Sequence, residues 1–197
     1  MIIYFRAMRI KDEYKQEAII QATVKLVNEI GFVSSSVAKI AQEANVSPAT
    51  LYIYYKNKED LLVSTYVEIK QKLSEALLKN FDDTNPFRDI FRTFWLNGFE
   101  YVSKNREYYR FAEQFSNSPY SELVNHVTVE KHFEPMLKVL QKGIEQKVIK
   151  NVPHEMLAAF IFYPMMILSN PKLCKTLDLT KDSIDQAFTL AWDAIKL

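Results

Sequence analysis

The chain has 197 residues, enough to bury a sizeable core in one or two domains. Its formal net charge of +1 excludes a protein that holds nucleic acid through bulk positive charge. The single cysteine, Cys174, excludes an intramolecular disulfide and a cysteine-rich zinc site, and it indicates a thiol kept reduced in the cytoplasm.

The first predicted helix runs from Lys11 to Ile30 and ends at Gly31. Five apolar residues mark its buried side: Ala18, Ile19, Ala22, Leu26 and Ile30. The preceding apolar stretch lacks the hydrophobic length and the small-residue cleavage site of a secretory signal. We therefore expect the residues before Met8 to be either a ragged start or a remnant of cloning.

Two short helices follow, separated by a tight turn. The first has an apolar face at helical spacing, formed by Val37, Ile40, Ala41 and Ala44. Ser35 or Ser36 is its predicted N-cap, and Asn45, which tolerates a left-handed backbone, ends it. Ser47 as N-cap and Pro48 at the first helical position then begin the second helix.

The second short helix, 48–55, is informative because of the side chains that it turns outward. Leu51 and Tyr55, four residues apart, can face the core. Small and hydroxyl side chains remain on the exposed sides: Ala49, Thr50, Tyr52 and Tyr54. Such a surface can approach a groove closely and donate hydrogen bonds to phosphates.

A third helix begins at Asn57, with Asp60 completing a variant capping box. Lys58 lies in the first turn, where a cation opposes the helix dipole. A phosphate bound at the helix N-terminus would reverse that effect, so an anion explains Lys58 better than folding does.

These motifs together resemble the DNA-binding domain of TetR-family transcriptional regulators. The resemblance covers roughly residues 14–62 and is carried by these pieces: Gly31-Phe32, Ile40-Ala41, Val46-Ser47, Thr50-Leu51-Tyr52, Tyr54-Tyr55-Lys56 and Lys58-Glu59-Asp60-Leu61. Asn45 and Tyr55 stand where the family usually has Gly and Phe. The resemblance implies a double-stranded DNA operator as partner, contacted by Ser35, Ser36, Ser47, Pro48, Ala49, Thr50, Tyr52, Tyr54, Lys56 and Lys58.

The third helix is predicted to continue to about Asn80, and further helices follow. They are expected over 86–105, 107–115, from Ser118 through a kink or restart at Pro135 to Ile144, over 156–168 and over 182–196. The fold class is therefore all-α. We expect a helix-turn-helix domain over residues 1–56 and a helical ligand-binding and dimerisation domain over residues 57–197.

The helix over 156–168 is apolar all round, so it must be enclosed. It is too short for a bilayer, which needs about 20 residues, and no membrane partner is expected. The final helix is amphipathic, with Phe188 and Trp192 on its apolar face. Two such helices per chain suit a two-fold four-helix interface, and TetR-like proteins are similar in dimerising this way, so we expect a homodimer through the last two helices.

Catalysis needs a positioned base, nucleophile or metal, and the sequence supplies none of these. Neither a Gly-rich phosphate loop nor a His/Cys/Asp cluster is present, so no enzymatic activity, cofactor or metal is predicted. The aromatic second domain offers an apolar cavity instead. Its predicted lining is Trp95, Phe99, Phe111, Phe115, Phe133, Tyr163 and Met166. The alternative is that these residues simply pack the core.

The sequence is thus interpreted as a cytoplasmic repressor that binds a pseudo-palindromic operator as a homodimer. The resemblance implies release by a small effector, and the lack of a strong charge cluster favours a mainly hydrophobic one. The alternative is a constitutive DNA-organising or partner-binding protein on the same scaffold, without an effector.

Overall fold

A computed structural model describes the backbone of residues 2–197 and the side chains of residues 13–197. The described residues form these helices: α1 (Ile2–Ser34), α2 (Val37–Glu43), α3 (Pro48–Tyr54), α4 (Lys58–Leu77), α5 (Phe87–Lys104), α6 (Arg106–Ser116), the 3-10 helix η1 (Pro119–Leu123), α7 (His126–Glu145), α8 (His154–Leu168) and α9 (Lys181–Ile195). The predicted all-α class is confirmed. None of the described helices combines the length and the apolar character that a membrane span requires.

Helix α1 begins earlier than predicted, at Ile2 rather than Lys11. The expectation of a ragged start before Met8 falls among residues whose side chains are not described. The predicted stop at Gly31 is confirmed, because its backbone is non-helical, with φ 78° and ψ 167°. Only glycine adopts such a conformation readily, and the chain bends there before one further turn ends at Ser34.

The buried surface of α1 is wider than its predicted stripe. Ile30 was expected to be buried but is 42 % exposed, whereas Val24, Val27 and Asn28 are buried. The reason is a second packing partner, α6. The Asn28 side chain donates to Glu107, and the Tyr108 hydroxyl donates to Glu17 at 3.0 Å. A helix enclosed on two sides shows no single apolar stripe.

The chain folds into two compact units. The first contains Met1–Ile69 together with Glu107–Val124, and the second contains Lys70–Arg106 together with Asn125–Leu197. Helix α4 therefore begins in the first unit and ends in the second. Helix α6 and η1 belong to the same unit as α2 and α3. The boundary at residue 57 stays a prediction about where the DNA-binding function ends.

The core of the second unit is formed by α5, α8 and α9. Phe188 and Trp192 of α9 are 1 % and 9 % exposed, and their rings lie 5.9 Å and 5.8 Å from that of Phe91 on α5. The prediction that these two side chains form a subunit interface is wrong. The apolar face of α9 is used within the chain, against α5, and is not left for a partner.

Helix α7 passes through Pro135 without ending, so the alternative of a restart there is wrong. Near its end, Gly143 lies directly under the Phe87 ring. A Cβ atom at position 143 would lie 2.3 Å from Phe87 Cε2, so only glycine fits beneath this ring as it stands. The glycine lets α5 and α7 approach closely.

Candidate nucleic-acid interface

Helix α2 and its turn are fixed by local contacts. Ser36 is the N-cap, and its hydroxyl accepts from the Lys39 N–H at 3.3 Å. Ile40 and Ala41 are fully buried. Asn45 follows with φ 54°, the left-handed conformation that the sequence predicts there. The chain is thereby turned toward the next helix within a few residues.

Helix α3 begins as predicted, with Pro48 at its first position. The Ser47 hydroxyl accepts from the Thr50 N–H at 3.0 Å and lies 2.9 Å from the Thr50 hydroxyl. Leu51 is fully buried and Tyr55 is 6 % exposed, so both face the core of the first unit. This pair fixes which side of α3 faces solvent.

Burial also changes the acidity of Tyr55. Removing the phenol from water disfavours its charged form, and this raises the pKa of Tyr55 to about 12. The negative charges of Glu68 and Asp60 act in the same direction. Tyr55 is therefore a neutral core side chain at physiological pH.

The outward side of α3 presents uncharged side chains. Pro48 and Ala49 are exposed, Tyr52 is 54 % exposed, and Thr50 and Tyr54 are half-buried. The structure thus brings these five predicted DNA contacts onto one short helix with its outer side open. Ser47 adjoins them as the N-cap.

The start of α4 carries the predicted caps. Asn57 Oδ1 accepts from the Asp60 N–H at 2.8 Å, and Asp60 Oδ2 accepts from the Lys56 N–H at 2.8 Å. In a standard capping box the Asp60 carboxylate would accept from the N–H of the N-cap residue, Asn57. Here it accepts instead from the N–H of the preceding residue, Lys56. The side chain of Lys56 is exposed.

Lys58 has a folding role that the sequence did not reveal. Its ammonium group donates to Phe32 O at 2.5 Å and to Val33 O at 3.4 Å. Carbonyl groups at the end of a helix lack intrahelical hydrogen-bond donors, and the Lys58 ammonium group serves as the donor for these two. Folding therefore accounts for Lys58 as well as an anion does, and the phosphate contact of this half-buried lysine stays a prediction.

The two predicted serine contacts differ in their exposure. Ser36 is exposed beside the start of α2, whereas Ser35 is fully buried. The Ser35 hydroxyl donates to Gly31 O at 2.8 Å. Because its side chain is enclosed and already bonded, the prediction that Ser35 holds a phosphate is wrong in this conformation.

Two exposed residues of this surface were missed by the sequence analysis. Ile53 of α3 is 78 % exposed, and Lys39 of α2 donates to Ser34 O at 3.1 Å. The signal for Lys39 was a cation in the first turn of a helix, the same signal that singled out Lys58. The signal for Ile53 was an apolar residue at a position that faces away from Leu51.

Of the residues predicted to line a ligand cavity, Phe111 and Phe115 belong to the first unit. Both are fully buried. The Phe32 ring packs edge-on against them, at 5.9 Å from Phe111 and 6.2 Å from Phe115, and Tyr66 stacks on Phe115 at 4.5 Å. These contacts attach α6 to α1 and α4 within the first unit.

The other five predicted cavity residues belong to the second unit. Trp95 and Phe99 stack at 5.4 Å in the core, and Met166 packs against the same cluster. Phe133 packs instead against a neighbouring cluster around Phe94. Tyr163 is 63 % exposed, so it does not line an apolar cavity inside this chain.

The second unit has a surface depression that does not coincide with the predicted ligand cavity. An open depression of about 510 Å³ is lined by Asp182, Asp185, Gln186, Thr189 and Leu190, none of which was predicted to bind a ligand. Among the residues whose side chains are described, no group of three or more His, Cys, Asp or Glu could hold a metal ion.

Comparison with known proteins agrees with this architecture. A family model described as "Bacterial regulatory proteins, tetR family" matches residues 19–65. A second, described as "Tetracyclin repressor-like, C-terminal domain", matches residues 86–196. The two matches therefore cover both the helix-turn-helix region and most of the helices that follow it.

A solved structure of a TetR-family transcription regulator from Marinobacter aquaeolei VT8 is similar, with a TM-score of 0.87 and 34 % identity over 95 % of this chain and 98 % of that one. An uncharacterised HTH-type transcriptional regulator of Haemophilus influenzae is 33 % identical over 52 % of this chain and 55 % of its own length. A fatty acid metabolism regulator protein of Bacillus subtilis is 39 % identical over 35 % of this chain and 34 % of its own length.

The chain thus matches about half of the first of these curated relatives and a third of the second. The matched families and relatives are transcriptional regulators, which confirms the prediction that the protein is not an enzyme. The resemblance drawn from the sequence motifs is likewise confirmed by the two family matches and by the similar solved structure. The chain belongs to the TetR family of transcriptional regulators.

Proposed function

We propose that this protein is a cytoplasmic repressor that binds a pseudo-palindromic operator as a homodimer and is released by a small, mainly hydrophobic effector. The observation that carries the proposal is the outward side of α3, which is open, uncharged and fixed by the buried Leu51. In helix-turn-helix proteins the second helix enters the major groove. A narrow helix without charged side chains can approach base edges closely.

The proposed contacts divide into two classes. Ala49, Thr50 and Tyr52 reach base edges or sugars, and a surrounding set contacts the DNA backbone. That set consists of Ser36, Ser47, Pro48, Tyr54, Lys56 and Lys58. The near-neutral charge of the chain means that these few contacts on each subunit supply the affinity.

The proposed dimer uses the outer side of α8. Four apolar side chains at helical spacing are about half exposed in the single chain: Met156 at 51 %, Phe160 at 57 %, Tyr163 at 63 % and Ile167 at 48 %. Leu190 on α9 adds a fifth at 73 %. Contiguous apolar surface of this kind marks a protein interface, and a two-fold axis would cover it with the same surface of a second copy.

The proposed effector acts through α4, the helix that the two units share. Helix α4 belongs to both units, so a change in the second unit can move its start near Lys58. Such a movement would alter the separation of the two α3 helices in a dimer and weaken operator binding. The aromatic residues Trp95 and Phe99, with Met166 beside them, supply an apolar environment for the effector.

One observation favours the alternative of a constitutive DNA-binding protein without an effector. Trp95, Phe111 and Phe115 are all fully buried, and each ring packs against another aromatic ring. Aromatic side chains packed in this way are typical of a solid core. The two functions differ in whether any small molecule changes the affinity for DNA.

Selection of bound duplexes from a random pool tests the proposed function. We expect an enriched pseudo-palindrome with two half-sites about one helical turn apart or a multiple of it. Fluorescence anisotropy should then show that the selected duplex binds more tightly than a shuffled one at the same salt concentration. Failure to enrich any sequence, or equal affinity for both duplexes, would contradict an operator-specific regulator.

A further inference from the structure

The reading helix lacks the side chains that usually recognise bases. Its seven residues are PATLYIY. Arg, Lys, Asn and Gln read purines through hydrogen bonds to the major-groove edge, and Asp or Glu accepts from cytosine. None of these residue types occurs in α3. Any base recognition by this helix therefore relies on hydroxyl groups and on apolar contact.

Ile53 lies on the outward side of α3, one residue before the helix ends at Tyr54. It is 78 % exposed, whereas Leu51 on the opposite side is fully buried. At 3.6 residues per turn, residues two apart lie about 200° apart around the axis. Ala49, four residues before Ile53, lies on the same side. The two form a small apolar strip that faces away from the core.

Folding gives little reason for isoleucine at this position. A β-branched side chain is a poorer helix former than Lys, Glu or Gln, and an exposed one contributes no burial. Single exposed apolar residues are common, so exposure alone assigns nothing. What distinguishes Ile53 is its outward position, one turn after Ala49, on a reading helix that contains no Arg, Lys, Asn, Gln, Asp or Glu.

The major groove presents one apolar group, the C5-methyl of thymine. We propose that Ile53, with Ala49 beside it, is a specificity-determining residue that reads this methyl group by apolar contact. The inference rests on the proposed function, because it requires α3 to enter the major groove. Each operator half-site then has a thymine facing Ile53, and the Thr50 and Tyr52 hydroxyls supply the neighbouring hydrogen bonds.

The test uses the full-length protein and the duplex recovered by selection. Each thymine is replaced in turn by deoxyuridine, which keeps the hydrogen-bonding groups and lacks only the methyl. We expect one position in each half-site to weaken binding about fourfold, the factor that burial of one methyl group corresponds to. Replacement in both half-sites should weaken binding about sixteenfold, since the two contacts are independent.

Variants assign the effect to the side chain. Ile53→Ala should bind the unmodified duplex more weakly and show no further loss at the sensitive thymine. Val33→Ala is the matched control, because Val33 is 89 % exposed near the end of α1 and lies outside α3. It should discriminate thymine from deoxyuridine as the wild type does. Thermal melting checks that both variants remain folded. Ile53→Thr is a second replacement at this position, and it keeps the β-branched shape of isoleucine.

The outcomes separate the two levels of the proposal. If the wild type binds every deoxyuridine duplex as tightly as the parent, the methyl-reading role of Ile53 is overturned while operator binding stands. The same follows if Ile53→Ala still discriminates at the sensitive position. If selection enriches no duplex at all, the proposed function fails, and the inference about Ile53 fails with it.

Discussion

Asn28 of α1 and Glu107 of α6 are 79 positions apart in the chain and joined by two hydrogen bonds. The Asn28 amide donates to the Glu107 carboxylate at 2.8 Å and to the Glu107 main-chain carbonyl at 2.9 Å. Its own oxygen accepts from Gln114 Nε2 at 2.8 Å. Asn28 is 6 % exposed, so this buried amide uses both of its donors and its acceptor to attach α6 to α1.

Removal of this amide should destabilise the first unit. We expect Asn28→Ala to lower the free energy of unfolding by about 1–3 kcal/mol, because partly buried partners are left unsatisfied. Asn28→Asp should cost more at neutral pH, since it removes both donors and sets a second carboxylate beside Glu107. Urea unfolding measures both effects. Gln21→Ala, which removes only an exposed bond to Glu17, should stay within about 0.5 kcal/mol of the wild type.

Local signals in the sequence sufficed for the helix-turn-helix. Ser47, Pro48 and Asn45 act on their immediate neighbours through caps and a left-handed turn, so residue type and spacing determined their roles. Leu51 and Tyr55 were likewise placed by helical spacing, because a short helix with one core-facing side has one consistent arrangement. Once Leu51 and Tyr55 were placed toward the core, the remaining residues of α3 had to lie on its outer side.

Contacts between distant segments were not predictable in the same way. An amphipathic pattern shows that Phe188 and Trp192 are buried but not whether α5 or a second subunit covers them. The burial of Asn28 depends on α6, which no local motif announces. Ser35 and Ser36 have the same chemistry, and only the packing of the surrounding chain decides which hydroxyl reaches solvent.

Tyr55 should make stability depend on pH in the alkaline range. Its pKa is about 12 in the folded protein and 10.0 in the absence of structure. Below pH 10 it is neutral in both states, and its contribution is fully present. As pH rises from 10 to 12, the unfolded state ionises first and that contribution is lost, by about 2–3 kcal/mol in all.

Comparison with Tyr55→Phe isolates the contribution of Tyr55 ionisation to the free energy of unfolding. The variant keeps the ring but cannot ionise, so its stability should fall less steeply than that of the wild type between pH 10 and 12. Lysine titration affects both proteins equally and cancels in the difference. Parallel stability curves for the two proteins would show that Tyr55 ionises normally. Absorbance at 295 nm gives an independent measure, since one tyrosinate signal should appear only near pH 12.

Folding and assembly should be separable in the second unit. Phe188→Ala should lower the free energy of unfolding by about 3–5 kcal/mol, because Phe188 is buried in the core. Tyr163→Asp should instead dissociate the proposed dimer, since a charge buried at the interface costs several kcal/mol. Sedimentation measures the mass, and denaturation at matched concentration measures the stability.

Leu173→Asp is the control for assembly, because Leu173 is 61 % exposed between α8 and α9 and lies outside the α8 stripe. It should leave the mass unchanged. If a Phe160→Asp, Tyr163→Asp double variant still forms a dimer, the interface lies on another surface. Operator binding by a monomeric variant with wild-type affinity would contradict the proposed dimeric mode.

Lys58 is proposed to exchange its carbonyl partners for a phosphate when DNA binds. Lys58→Ala should reduce the slope of log K against log salt by about 1 per subunit and weaken specific and non-specific duplexes about equally. Lys79→Ala is the control, since Lys79 is an exposed cation in the second unit. An unchanged slope in the Lys58 variant would leave this lysine with only the contacts to Phe32 and Val33.

The effector hypothesis predicts linked changes in stability and DNA affinity. A hydrophobic compound that binds the native second unit should stabilise it by about 2.7 kcal/mol at a hundredfold excess over Kd. Thermal-shift screening of acyl, aromatic and steroid compounds should detect such binding. The same compound must weaken operator binding, because a ligand that prefers the DNA-incompetent conformation is itself bound less tightly by the DNA complex.

Tryptophan fluorescence locates the effector within the second unit. Both tryptophans, Trp95 and Trp192, are buried there, so Trp192→Phe leaves Trp95 as the reporter. The Trp95 ring stacks on Phe99 at 5.4 Å, and a compound that enters beside Phe99 should change its emission. Phe99→Ala and Met166→Ala enlarge this space and should alter ligand preference more than DNA affinity. If no compound shifts the melting temperature, the Trp95 emission or the operator affinity, the aromatic residues serve as packed core, and the constitutive alternative is the better description.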